Sequence, residues 1–267
     1  MIKSVLTIAG SDSSGGAGIQ ADIKTITCFG MYAMSAITSL TAQNTTGVYG
    51  VSDVTPEFVA KQLECVFEDI VPDSVKIGMV SNAGIIKAIA QSLKKYGARN
   101  IVLDPVMIST SGSPLLQQDA IDELTGSLLP LASIVTPNIP EAEALSGIAI
   151  NGKADAENAA KLIYNKCHTA VLIKGGHSSC DADDLLFDGK EYKWFCSPKI
   201  QNNNTHGTGC TLSSAIACGL ADGKSICSSV TAAKEYISGA LRVNFDIGNG
   251  SGPLLHNYRF ASEGTER

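Results

Sequence analysis

Short apolar runs alternate with 3.6-residue periodicities along this chain. Residues 5–9 form an apolar run closed by Gly10, which predicts a buried strand. A loop of Ser, Asp and Gly fills 11–18, and then Ile19, Ile23 and Ile26 recur at helical spacing until Gly30 stops the helix. Residues 32–43 predict a second strand and 48–54 a short edge strand, one arm of a flap. Thr55-Pro56-Glu57 carries the marks of a helix start: a capping hydroxyl, a proline at the first helical position and an early acid. That helix runs to about residue 70. Strands follow at 74–79 and 100–106, with a helix at 82–96 between them. Further along, the pattern predicts helices at 117–129, 155–166, 208–221 and 225–245, and strands at 133–136 and 169–174. Segments 184–188 and 191–196, joined by Gly189-Lys190, read as an antiparallel hairpin at a sheet edge. The alternation indicates an α/β protein with a mostly parallel sheet covered by helices. No repeat, linker or break in composition interrupts residues 1–267, which read as one domain.

Composition narrows the partners. The net charge is -6 with no long basic run, which argues against nucleic acid as the main partner. An anionic substrate stays open, because backbone N–H groups bind anions locally. The eight cysteines form no C-x-x-C pair, so neither a zinc site nor a thioredoxin-like motif is indicated. No signal-peptide pattern and no apolar run of membrane-spanning length is visible, so reduced thiols in the cytoplasm are expected.

The candidate chemistry centres on residues 201–217. A polar extended run ends in Gly207-Thr208-Gly209-Cys210, and a small-residue apolar helix follows at once. Glycines at a helix start let several N–H groups converge, and the helix dipole adds positive potential there. Such a site suits a phosphate whose charge grows in a transition state. Cys210 falls on the first turn, where a thiolate is expected to be favoured. The plainer reading is a glycine-rich helix start with a buried cysteine. A second Gly-rich loop, 11–18, follows the first strand, with Asp22 on the next helix's first turns. Its glycines lack the G-x-G-x-x-G spacing of dinucleotide folds. Asp104 ends a strand, and the small, flexible residues 108–114 suit a mobile lid or an idle loop. Asn138 and Glu141 lie at another strand's C-terminal end, fit either to hold a hydrated magnesium ion or to start a helix. The P-loop-like stretch 219–225 has three residues between its glycines instead of four, and links two helices; it reads as a helix stop and restart.

Several motifs then combine in order. They are Gly10-Ser11-Asp12 through Asp22, Ala42-Gln43-Asn44-Thr45, Lys76-Ile77-Gly78-Met79, Asp104-Pro105-Val106-Met107, Thr136-Pro137-Asn138 with Glu141, Lys174-Gly175-Gly176-His177, and Asn204 through Thr211. The set closely resembles the hydroxymethylpyrimidine/phosphomethylpyrimidine kinases of thiamin biosynthesis, within the ribokinase superfamily. The resemblance implies a ribokinase-like three-layer α/β/α fold with no separate lid domain. It implies phosphorylation of 4-amino-5-hydroxymethyl-2-methylpyrimidine with Mg-ATP, and then of the monophosphate to the pyrophosphate. It also implies a cytosolic homodimer.

By the same resemblance, Gly207, Thr208, Gly209 and Cys210 form the anion hole, with Cys210 where sugar kinases carry an Asp base. Gln43 reads the aminopyrimidine edge, since its amide donates to a ring nitrogen and accepts from the amino group. Gly10, Ala17, Asp22, Met79 and Val106 shape the rest of the pyrimidine pocket. Asn138 and Glu141 hold Mg2+ through water, and Lys174 and Lys234 face the phosphates of ATP. His206 reads as a loop residue without a catalytic part. The main alternative is a pyridoxal kinase of the same superfamily, some of which use a lid cysteine; residues 107–116 contain none. A sugar kinase and a non-catalytic pyrimidine- or nucleotide-binding protein are the remaining readings.

Overall fold

The computed structural model describes residues 2–107, 118–175, 182–243 and 245–261. The lid expected at 108–114 lies outside them. The first half contains β1 (Ser4–Asp12), α1 (Gly18–Cys28), β2 (Tyr32–Asn44), β3 (Gly47–Asp53), α2 (Pro56–Phe67), β4 (Ser74–Ile77), α3 (Ala83–Lys95) and β5 (Ile101–Leu103). There follow α4 (Gln118–Glu123), β6 (Ile134–Val135), α5 (Ile139–Ser146), α6 (Lys153–Cys167), β7 (Ala170–Ile173), β8 (Asp184–Phe187), β9 (Tyr192–Phe195), α7 (Thr208–Ala221), α8 (Ile226–Arg242) and α9 (Tyr258–Ala261). The helix expected at 117–129 ends early as α4 and continues as wider and tighter turns to Leu131, with Pro130 in the last of them. Helix α5 begins at the helix start that was one of the two readings of Asn138 and Glu141, and α9 was missed.

One nine-stranded sheet runs in the order β3-β2-β1-β4-β5-β6-β7-β8-β9. Strands β2, β1, β4, β5, β6 and β7 are parallel; β3 at one edge and β8–β9 at the other are antiparallel. The expected edge hairpin is therefore present, and the flap strand β3 adds a second antiparallel edge. Neighbouring strands β2 and β4 leave β1 in opposite directions across the sheet, so the crevice at the strand C-terminal ends opens beside β1.

Strand periodicity sorts the core into two layers. Leu6, Ile8, Val75, Ile77, Ile101 and Leu103 face α2, α3 and α6. Val5, Val102, Ile134 and Leu172 face α7 and α8 with Ile26 of α1. On that second face the side chains turn polar toward the strand C-terminal ends: Thr7, Lys76 and Asp104 follow where Val5 and Val102 began. Helix α7 is buried all along from Thr211 to Ala221, so it lies inside the protein with its N-terminus directed at this polar layer. Gly219 permits the α7–α8 contact, since a Cβ there would stand 2.5 Å from Ser229 Oγ. The 219–225 stretch is the expected stop and restart: α7 ends at Ala221 with Asp222 as its C-cap, and the Ser225 hydroxyl caps α8.

Beneath the start of α7 lies a fully buried ion pair. Lys76 Nζ stands 2.7 and 2.9 Å from the two oxygens of Asp22, which also accept from Thr7 Oγ1 at 2.6 Å and Ser214 Oγ at 2.7 Å. Four elements, α1, β1, β4 and α7, meet at this carboxylate. Burial works against the Lys76 ammonium, and Asp22 together with Cys210 and Asp104 more than offsets it, so Lys76 stays charged above the ordinary lysine range. Replacing one partner strands the other's charge. Lys76→Met is therefore expected to destabilise the protein by about 3–5 kcal/mol, with Lys76→Met/Asp22→Leu costing less than the single change. Urea unfolding of the two variants checks this, and a single variant within about 1 kcal/mol of wild type would contradict it.

Candidate active site

Two glycine-rich loops build the site. The first, between β1 and α1, turns back on itself through Asp12. Its carboxylate accepts from Ser14 N (2.8 Å), Ser14 Oγ (2.7 Å), Gly16 N (3.1 Å) and Ala17 N (2.8 Å). The second precedes α7, and its His206 Nε2 stands 2.8 Å from Asp12 Oδ2. Burial would raise the Asp12 carboxyl, but the His206 and Ser14 hydrogen bonds and the loop amides hold it at about 2, so it is ionised. Gly207, with φ of 84°, sits where only glycine fits: a Cβ would run into the Gly16 carbonyl.

Helix α7 starts at this junction. Thr208 turns back, its N–H and hydroxyl both going to the Thr205 carbonyl at 3.2 and 2.7 Å. Among the described residues nothing accepts from the Gly209 and Cys210 N–H groups, which are the donors left for an anion. A Cβ on Gly209 would lie 3.5 Å from Asp104 Oδ2 and 3.6 Å from Lys174 Nζ, so these groups border the helix start. Lys174 Nζ bonds Asp104 Oδ1 at 2.7 Å and stands 4.0 Å from Glu141. Thr136 Oγ1 at 3.2 Å and Ser213 Oγ at 3.4 Å complete the Asp104 shell. Burial opposes the Lys174 charge, and Asp104 and Glu141 more than restore it. Burial raises the Glu141 carboxyl, with Lys174 opposing and Asp104 adding to the rise.

Several expectations need correction. The Cys210 thiol is not poised as a thiolate. Burial pushes it up to about 11, and Asp22 and Asp104 add to the rise; Lys76 and the Gly18 N–H at its sulfur only partly offset them. The helix start favours a thiolate, but burial and the two carboxylates underneath oppose it. Asp22 does not line the pocket: it is fully buried and engaged by Lys76, Thr7 and Ser214. Lys234 does not offer its ammonium to a phosphate, because Ala182 O (2.8 Å), Asp184 Oδ2 (2.7 Å) and Phe195 O (3.0 Å) occupy it. Asn138 and Glu141 form a capping box on α5: Glu141 N donates to Asn138 Oδ1 at 2.9 Å, and Asn138 N to Glu141 Oε2 at 2.8 Å. The acid three residues after a capping asparagine was the legible sign of this.

The remaining expected residues gather near one opening. Gly10 lies under the Met79 side chain, 2.9 Å from Met79 Cε as measured from a Cβ position, and Val106 follows the end of β5. Ala17, Met79, Val106 and Gln43 are all half-buried. Gln43 is tied to the first loop, since Ser13 Oγ donates to its carbonyl at 2.7 Å, and its amide stands 3.3 Å from His206 Nε2. Its side chain is thus one residue removed from Asp12 and, along the second loop, four positions from Cys210. A separate cavity of about 290 Å³ lies between β9 and α8, lined by Phe195, Ser197, Thr231 and Arg242 among others. Sequence reasoning missed Lys76, Asp12 and His206 as builders of the site. The signal for Asp12 was present, an Asp opening a Ser/Gly loop in an Asx-turn pattern; none marked its partner 194 positions away.

Comparison with known proteins fits this geometry. The family model described as phosphomethylpyrimidine kinase matches residues 12–255. A hydroxymethylpyrimidine/phosphomethylpyrimidine kinase of Rhizobium meliloti (strain 1021) is 48% identical over 264 residues, covering 97% of this chain and 99% of that protein. The thiamine biosynthesis bifunctional protein ThiED of Geobacter sulfurreducens is 50% identical over 95% of this chain, and the chain spans about half of that protein, 52%. Among solved structures, the phosphomethylpyrimidine kinase from Clostridium difficile 630 is 48% identical with a TM-score of 0.81, covering 90% of this chain and 99% of that one. The Bacillus subtilis pyridoxal kinase, solved as an ADP complex, superposes with a higher TM-score, 0.89, but at 34% identity, over 98% of this chain and 100% of that one. Backbone likeness is shared by both kinase types, so the sequence identity separates them.

The neutral thiol has a measurable consequence. At pH 7.5, iodoacetamide is expected to label the exposed Cys65 and Cys196 well before Cys210. Cys210 labelling should rise about tenfold per pH unit toward its value near 11. Mass spectrometry of the peptides checks this, and labelling of Cys210 as fast as Cys65 at neutral pH would restore the thiolate.

Proposed function

The chain belongs to the phosphomethylpyrimidine kinase family, and we infer from its cleft how its residues carry out that family's phosphoryl transfer. It is a hydroxymethylpyrimidine/phosphomethylpyrimidine kinase of thiamine biosynthesis. The observation that carries the mechanism is the free N–H pair of Gly209 and Cys210 on α7, beside Lys174 and at the edge of the opening that Gln43 flanks.

The pyrimidine lies over Gly10, between Met79, Val106 and Ala17, with Gln43 at its amino edge. Its hydroxymethyl oxygen meets the γ-phosphorus of ATP at the start of α7. The new P–O bond forms as the bond to the ADP oxygen breaks. Charge on the moving phosphoryl is met by the Gly209 and Cys210 N–H groups, the α7 dipole and Lys174. In a loose transition state the hydroxyl proton leaves late. A neutral Cys210 sulfur accepts the hydroxyl's hydrogen bond and orients its oxygen, and the proton passes to the product phosphate and then to water. The nucleoside of ATP suits the β9–α8 cavity, where Lys234 contributes its stem as wall while its ammonium holds the hairpin.

Magnesium fits the donor set at one remove. Among the described residues, no three His, Cys, Asp or Glu side chains gather as direct ligands. Asp104 and Glu141 flank Lys174, and Glu141 keeps lone pairs beyond its capping bond. A magnesium ion that retains its waters is held through such oxygens. Bound there with ATP, it would neutralise phosphate oxygens; Asn138 remains committed to the helix cap.

Two assignments concern the setting. Leu40, Tyr49 and Val51 expose apolar surface on the β2–β3 flap, which supports a homodimer burying this edge; a monomer in sedimentation equilibrium would remove it. No helix among the described residues is long and apolar enough to cross a membrane. A cytoplasmic enzyme accords with free cysteines among those residues, and cell fractionation tests it.

A panel of the hydroxymethylpyrimidine, its monophosphate, pyridoxal and ribose with Mg-ATP tests the reading. Turnover should be highest on the first two, and pyridoxal preferred over both would install the alternative kinase. In the same assay Cys210→Ala should lower the first transfer by about 10² through lost orientation of the hydroxyl, with pyrimidine affinity preserved. The second transfer should lose less, because a phosphate nucleophile has no hydroxyl proton to orient. Near-normal first-step turnover would show that the thiol is dispensable.

A further inference from the structure

His206 Nε2 contacts two side chains at once: Asp12 Oδ2 at 2.8 Å and Gln43 Nε2 at 3.3 Å. Thr41 Oγ1 stands 3.1 Å from Gln43 Oε1 and 3.0 Å from the Ser11 carbonyl, so its one proton can go to either. The positions of the protons follow from these contacts. Five donors surround the Asp12 carboxylate, which accepts only, so Nε2 carries its proton toward Asp12. A protonated Nε2 has no lone pair for an amide N–H, so the Gln43 group facing it must be the carbonyl. With the carbonyl turned to His206, the amide NH2 faces Thr41 Oγ1 and donates to it, and the one Thr41 hydroxyl proton goes to the Ser11 carbonyl; amide oxygen and nitrogen thereby exchange the places at which they stand here. Amide oxygen and nitrogen have the same shape, and only such a network tells them apart. The imidazole cannot swing away: His206 N donates to Gly252 O at 3.1 Å, and its Cδ2 packs where a Cβ on Gly16 would fall.

We propose that His206, anchored by Asp12, is a specificity-positioning residue that locks the Gln43 amide in one of its two orientations. The inference rests on the reading of Gln43 as the group that meets the pyrimidine edge. Locked, Gln43 offers one free N–H and one free carbonyl lone pair in a fixed order. A 4-aminopyrimidine presents an acceptor ring nitrogen beside a donor amino group, which matches that order. Its 4-oxo counterpart presents a protonated ring nitrogen beside an acceptor oxygen, the reverse. An unlocked amide would turn over and accept either. Rejection of the oxo ring therefore comes from one imidazole proton that touches no substrate.

The test compares kcat/KM for the hydroxymethylpyrimidine and its 4-oxo analogue in wild type, His206→Phe, His206→Gln and Gln43→Ala. In His206→Phe the preference for the amino ring, read as the ratio of kcat/KM on the two rings, should fall at least about tenfold, over and above any loss common to both rings from the missing Asp12 anchor. His206→Gln, which keeps an N–H donor, should retain most of the preference. Equal losses on both rings in His206→Phe, with the preference collapsing in Gln43→Ala, would overturn the proposal and leave the Gln43 reading standing. An unchanged preference in Gln43→Ala would remove that reading, and the proposal with it. If His206→Phe does not fold, NMR of the wild type decides: an unprotonated Nε2 at neutral pH, or NOEs from the Gln43 amide protons to the His206 ring, would overturn it. NOEs from those protons to Thr41 would support it.

Discussion

The Asp12 carboxylate is the constraint on which the rest of the site depends. Its two oxygens close the first glycine-rich loop from within and pull the second loop in from the far end of the chain. Neither loop has a core of its own. Each consists of small or polar residues that bury little apolar surface and lose much freedom on ordering. An ionised group accepting five hydrogen bonds offsets that cost, and its low pKa is the measure of how strongly the folded state prefers the charge. The stabilisation is present above the unfolded carboxyl's 3.8 and is lost as pH falls from there toward 2. The loops can thus approach so closely that glycine is compulsory at Gly207.

Beneath the loops, two lysines face three carboxylates: Lys76 answers Asp22, and Lys174 lies between Asp104 and Glu141. The positive potential without a carboxylate of its own in this layer is that of α7's first turn. This arrangement aims a modest field at one place without stranding any buried ion. It also explains why a cysteine at a helix start keeps its proton: the dipole favours the thiolate, but burial and two nearby carboxylates oppose it.

The alternation of strands and helices was legible because one face of each element is continuously apolar, and β4, β5 and α2 appear close to where the pattern puts them. The start of α7 was legible too: Gly207 precedes a buried helix, and the N–H groups of Gly209 and Cys210 find no acceptor among the described residues. The roles of Asp22, Lys234, Asn138 and Cys210 were not. Each depends on what stands opposite in space, and a motif names a residue type without its partners. Lys76 inside a strand gave a hint in the other direction, for a charged residue among Val75 and Ile77 must find a countercharge. The pairing of Asp12 with His206 left no local trace.

The state of the thiol bears on how one cleft serves two successive transfers. In the first, the nucleophile is a neutral hydroxyl that needs orientation and sheds its proton late. In the second, it is a phosphate oxygen that carries negative charge already. A carboxylate at the position of Cys210 would assist the first nucleophile and repel the second. At about 4 Å, with an effective dielectric near 20, two unit charges repel by roughly 4 kcal/mol, close to three decades in rate. A sulfur that holds its proton up to about pH 11 adds no charge to the cradle. On the proposed mechanism it would serve a hydroxyl as a hydrogen-bond partner and let a phosphate pass. Burial of Cys210 above Asp22 and Asp104 would then be what keeps the same few backbone amides usable by both nucleophiles.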